Sequence, residues 1–120
     1  MTPEDKKLIL LLTKIYARSK AGLLDWEPSE DPNIFAVKLA EYTISIERDA
    51  ETEKSPESFN LSIANNEGLV IQELSGYVAS KNGFTDMKDL FDRARRQGVG
   101  IGAALDDMIR ELDELAGEKS

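Results

Sequence analysis

Residues Ile34–Leu74 read IFAVKLAEYTISIERDAETEKSPESFNLSIANNEGLVIQEL, and most of this stretch alternates apolar with polar side chains. Successive side chains of a strand point to opposite faces, so a period of two predicts strands with one buried and one solvated face. One-sided strands of this kind are typical of antiparallel sheets. Three such strands are expected, with the apolar positions Phe35, Val37 and Leu39, then Tyr42, Ile44 and Ile46, then Phe59, Leu61 and Ile63.

A fourth strand is expected over Leu69–Leu74, and both of its faces carry apolar residues. The turn before it, Asn65-Asn66-Glu67-Gly68, has glycine where a type I turn with a G1 bulge needs a positive φ. This turn predicts that Leu69 and Ile71 face the core. A two-residue turn instead brings Val70 inward, because a slip of one residue exchanges the faces.

The segment before the sheet predicts a helix from Thr2 to about Ala21, because a hydroxyl, a proline and two acids stand at its start. Its apolar stripe is wider than one amphipathic face, since Ile9, Leu10 and Tyr16 lie outside the main stripe. We therefore expect this helix to be buried on two sides. The second side packs against either the C-terminal helices or another subunit.

Two helices are expected after the sheet, with Ser75–Phe84 as a connector between them and the fourth strand, or with Tyr77-Val78-Ala79 extending that strand. The first is capped by Thr85 and ends at Gly98, and the second covers about Ala103–Ala116. The apolar face of the second consists of Leu105, Met108, Ile109, Leu112 and Leu115. The order of elements predicts a single α+β domain over residues 1–120, in which both C-terminal helices pack on one face of a four-stranded antiparallel meander.

Composition excludes several classes of function. The 120 residues contain no cysteine and no histidine, which removes thiolate chemistry and the usual general base and transition-metal ligand. A net charge of −8 disfavours nucleic-acid binding. Neither a signal peptide nor a membrane span is visible, so a soluble cytoplasmic protein is expected. No cofactor and no metal are expected.

Two motifs fail in their context. The stretch Gly98–Ala103 matches G-x-G-x-x-A, but a helix precedes it, whereas a dinucleotide-binding turn must follow a parallel strand. The basic run around Arg93–Arg96 precedes a glycine turn and a further helix, as in a helix-turn-helix. That further helix is acidic, which is the wrong charge for a DNA groove.

Several segments resemble small uncharacterised bacterial α+β proteins. They are Leu12-Thr13, Leu24-Asp25-Trp26-Glu27, Phe35, the turn Asn65–Gly68, and Leu90–Arg96 followed by glycines and a short amphipathic helix. The resemblance implies a bacterial source and an α+β fold, and it implies no activity.

These observations favour a non-enzymatic protein-interaction module, such as an adaptor, an immunity or inhibitor protein, or a chaperone-like protein. The alternative is a small enzyme whose carboxylates are assembled into a site by the fold. The partner is expected to be a protein, with a homodimer as one form, because helix one offers more apolar surface than one sheet face covers. Candidate contact residues are Trp26, Val70, Leu74 and Tyr77. For Trp26, closing the edge of the core is the competing role.

Overall fold

The structure is a computed structural model that describes residues 2–118. Its elements are α1 (Pro3–Lys20), β1 (Glu27–Pro28), β2 (Ile34–Leu39), β3 (Tyr42–Asp49), β4 (Ser58–Ala64), β5 (Val70–Ser75), α2 (Gly76–Lys81), α3 (Met87–Gly98) and α4 (Ile101–Glu118). The five strands form one antiparallel sheet in the order β1-β2-β3-β4-β5. The predicted α+β class and antiparallel meander are therefore confirmed, with five strands where four were expected.

The additional strand and the additional helix both lie in segments without a clear pattern. β1 has two residues, and Pro28 lies opposite Phe35 at the edge of the sheet. Two residues cannot display a period of two, so the sequence gives no strand signal there. The connector after β5 forms the short helix α2, whose first turn is capped because Ser75 Oγ accepts the Val78 N–H at 3.1 Å.

The termini of the longer helices follow the capping chemistry with one exception. At α1, Thr2 Oγ1 accepts the Asp5 N–H at 3.1 Å and Asp5 Oδ2 accepts the Thr2 N–H, which is a capping box. At α3, the predicted cap Thr85 is wrong. Asp86 occupies the N-cap position, and its side chain makes no capping hydrogen bond.

The hairpin between β4 and β5 is confirmed, and Ile71 lies on the core side of the sheet with Ile63, as predicted, but it is not buried. Gly68 has a φ of 82° and its N–H donates to the Asn65 carbonyl, as the turn requires. A bulge then shifts the register, so that Ala64 faces Val70 while Ile63 faces Gln72. Val70 therefore shares the face of Ala64, away from the core, and Leu69 and Ile71 are also exposed.

One face of the sheet carries the core. α3 packs on this face across β1 to β4 and contacts α1. Phe91 of α3 lies between Phe35 of β2 and Phe59 of β4, with ring centroids 5.7 and 5.6 Å away. The α1 residues Leu12 and Ile15 are buried in the same cluster, whereas Leu10 is exposed. The surplus apolar surface of α1 is therefore mostly covered within the chain.

Helix α4 does not pack on the sheet, contrary to the prediction that both C-terminal helices would do so. It follows a turn at Gly100, whose φ is 68°, and its main packing neighbour among residues 2–118 is α3. Every residue from Gly102 to Gly117 is exposed. The radius of gyration is 17.6 Å, against about 14 Å for a compact chain of this length, because α4 projects from the body.

Candidate protein-interaction surfaces

The outer edge of the sheet presents three consecutive apolar side chains to solvent. Leu69, Val70 and Ile71 are 63, 50 and 52% exposed, and we call them the β5 surface. Within residues 2–118, β5 pairs with β4 and with no second strand. Natural edge strands are usually protected by lysine, proline or strong twist, and an apolar edge is a place where another chain can add.

An apolar groove adjoins the β5 surface on the core side of the sheet. Its volume is about 280 Å³. It is lined by Leu11, Leu39, Tyr42, Ile44, Ile63 and Ile71. Ile71 belongs to both the groove and the β5 surface, so the two form one continuous apolar region. Among these six side chains, that of Tyr42 carries a polar group, its phenol hydroxyl. Tyr42 is exposed.

The four predicted contact residues divide into two pairs. Val70 and Tyr77 are exposed, and the Lys81 ammonium lies 4.5 Å from the centroid of the Tyr77 ring. Trp26 and Leu74 are buried. That they contact a partner stays a prediction, and only the exposed pair is accessible from solvent.

Trp26 is buried and closes the core, which was the competing role predicted for it. Its indole N–H donates to Ser19 Oγ at 2.9 Å, and its backbone N–H donates to Gln97 Oε1 at 3.0 Å. Both hydrogen bonds join the segment after α1 to neighbouring helices. Leu74 lies opposite Leu61 on the core face of the sheet, because the bulge in β5 moves it inward.

A second unpartnered apolar region lies on α4, and we call it the α4 face. Its large side chains are 46 to 65% exposed and make up the stripe that the sequence predicted. They are Leu105, Met108, Ile109, Leu112 and Leu115. The pattern correctly showed an amphipathic helix, but it does not show whether the apolar side meets the same chain or another molecule.

The polar cluster nearest the core joins α1 to α3. The Tyr16 hydroxyl donates to Asp89 Oδ2 at 2.6 Å, and Arg93 Nε donates to the same oxygen at 2.7 Å. The hydrogen bond from Tyr16, followed by that from Arg93, lowers the pKa of Asp89. The same bond raises the pKa of Tyr16. These groups satisfy one another and act as a clamp between two helices.

Two further carboxylates have shifted pKa values. Glu57, whose side chain is partly buried, accepts a hydrogen bond from Arg48 Nε at 2.8 Å, which lowers its pKa. Partial burial, followed by the negative charges of Asp49, Asp31 and Glu73, raises the pKa of Glu47. Glu47 lies next to buried Ile46 in β3, so it points to the sheet face opposite the core.

In the part of the chain that the structure describes, no group of three or more acidic, cysteine or histidine side chains is placed to hold a metal ion. No described helix is long and apolar enough to cross a membrane. Comparisons with protein-family models, with curated proteins and with solved structures found no match.

Proposed function

We propose that this chain is a non-enzymatic protein-interaction module of the adaptor, immunity or inhibitor, or chaperone-like kind, acting in the cytoplasm. It binds another protein through the β5 surface and the adjoining groove. The observation that carries the proposal is the run of three half-exposed apolar residues on an edge strand, continuous with an apolar groove. Isolated exposed apolar residues need no explanation, whereas a contiguous patch is typical of interaction sites.

The energetic scale supports binding through this surface. Fully burying an aliphatic side chain of this size contributes about 1.5–3 kcal/mol, and Leu69, Val70 and Ile71 are about half exposed, so together they offer roughly 3 kcal/mol. Backbone groups on the outer edge of β5 add hydrogen bonds if the partner joins as a strand. Specificity then comes from the groove, which accepts side chains from the partner.

A substitution in β5 tests the proposal against binding of a basic partner by the acidic side chains that give the chain its net charge of −8. The protein is purified from its native cell with bound partners in low and high salt. Val70→Asp is expected to weaken retention on the order of 10–100-fold, because it buries a charge against apolar surface. The matched control is Val99→Asp, since Val99 is 53% exposed and lies at the turn between α3 and α4.

The salt dependence separates the two surfaces. A complex held by apolar burial survives high salt, whereas contacts between exposed charges are screened beyond about 8 Å at physiological ionic strength. The proposal would be contradicted by a basic partner that moderate salt releases and whose binding is unchanged by Val70→Asp.

A further inference from the structure

The α4 face has the spacing of a coiled-coil seam. Apolar side chains recur at intervals of four, three, four and three residues from Ile101 through Leu115, which fits alternating d and a positions of a heptad. Leu105 and Leu112 occupy a, while Met108 and Leu115 occupy d. All five a and d positions between residues 101 and 115 are therefore apolar. Most of the stability of a helix in a protein comes from packing of its apolar face, so a partner along this seam would stabilise α4.

We infer that α4 binds α4 of a second copy of this chain as a parallel two-stranded coiled coil. The homodimer expected from the sequence would then form through α4 and not through α1, whose apolar surface is mostly covered within the chain. This surface is distinct from the β5 surface, so both can be occupied at once.

The charges beside the seam favour a parallel arrangement of two identical helices. Glu111, at g, is the charged flanking residue between Ile101 and Leu115. In a parallel pair a g residue faces the e residue five positions on in the other helix, which here is Ala116. An antiparallel pair that aligned Leu105 with Leu115 would bring the two copies of Glu111 together. The remaining charges of α4, among them Asp106, Asp113 and Arg110, lie outside the seam.

The area of the seam determines how strong the association is. A leucine-sized side chain presents on the order of 100 Å² of apolar surface, so the five half-exposed side chains of the α4 face from each copy bury roughly 500 Å² in total. A standard stable interface buries about 1,200–2,000 Å². We therefore expect a weak dimer that depends on concentration and not an obligate one.

Light scattering on the purified chain tests the inference. The mass is expected to rise from 13.3 kDa toward twice that value as the concentration increases through roughly 10 to 1,000 μM. Leu112→Glu places a carboxylate at an a position and is expected to keep the chain monomeric throughout. Asp113→Glu introduces the same residue next to it on the outer face without a change of charge, and it is expected to dimerise like the parent. Trp26 fluorescence confirms that the body of each variant is folded.

Cross-linking tests the orientation. The chain has no cysteine, so a single introduced thiol is unique. Leu115→Cys is expected to form a disulfide between copies in a parallel pair, whereas an antiparallel pair separates the two thiols along the helices. Asp113→Cys, on the outer face, is the control.

Three results would each overturn the inference. They are a monomer over the whole concentration range, a dimer that persists in Leu112→Glu, and cross-linking of Leu115→Cys no faster than that of Asp113→Cys. All are measured without any other protein. A failure here is therefore distinguishable from a failure of partner binding, which depends on Val70.

Discussion

Gly98→Ala should destabilise the fold although glycine is usually the poorer residue in a helix. A Cβ at position 98 would lie 2.5 and 2.8 Å from two ring carbons of Phe35, and 3.4 Å from the Pro28 nitrogen. Carbon atoms pack best at about 3.5–4.0 Å, so the ring or the helix must move by about 1 Å. Phe35 is buried and its ring lies against Phe91, so it has little room to move.

The expected net loss follows from two opposing contributions. Overpacking a core costs about 1–3 kcal/mol. Replacing glycine by alanine in a helix recovers about 0.5–1 kcal/mol, with the smaller value expected because Gly98 is the last residue of α3. The free energy of unfolding should therefore fall by roughly 1–2 kcal/mol, measured by urea titration with Trp26 fluorescence.

Gly102→Ala is the matched control, because no atom lies within 4 Å of its added Cβ and the residue is also helical. It should be neutral or slightly stabilising. Shortening Phe35 should relieve the clash, so Gly98→Ala with Phe35→Leu should lose less stability than the sum of the single changes. If Gly98→Ala proved as stable as Gly102→Ala, the close packing of α3 on β2 would be refuted.

Other substitutions test the core and the helix clamp. Leu61→Ala and Phe59→Ala should each lower the free energy of unfolding by about 2–5 kcal/mol. Glu53→Ala, in the loop between β3 and β4, should change it by less than about 0.5 kcal/mol. Similar denaturant midpoints for the core and loop variants would contradict the strand register. Tyr16→Phe should cost about 0.5–1.5 kcal/mol at pH 7, because it removes the hydrogen bond to half-exposed Asp89 but keeps the ring on Phe84. The pKa of Asp89 is lowered in the folded chain, so its contribution is present above the unfolded pKa and is lost on acidification. The difference between parent and Tyr16→Phe should therefore shrink below roughly pH 4, and a difference unchanged at pH 2–3 would contradict this role.

The strands could be predicted from the sequence because their periodicity is a direct consequence of backbone geometry. Alternation at Phe35 and Val37 placed β2 correctly, and Gly68 identified the hairpin turn because few residues adopt its positive φ. The bulge at Ala64 could not be predicted, since the turn sequence fits more than one register. That single inserted residue moves Leu74 to the core face, so the burial of Leu74 had to come from the structure.

What an amphipathic helix face packs against depends on the fold of the whole chain and not on the helix alone. The α3 and α4 stripes look alike in sequence, yet Leu90 of α3 is buried and Leu112 of α4 is 65% exposed. The difference comes from the turn at Gly100, which directs α4 away from the sheet. The groove beside Ile71 likewise forms from residues of five separate elements, so no local pattern indicates it.

Hydrogen–deuterium exchange on the complex with its captured partner is the most direct measurement of binding through the edge of the sheet. Binding at the β5 surface should slow amide exchange in residues 69–75 and leave unchanged residues 50–57, the acidic loop between β3 and β4. Slowed exchange confined to the acidic loop or to α4, with residues 69–75 exchanging as in the isolated chain, would contradict it.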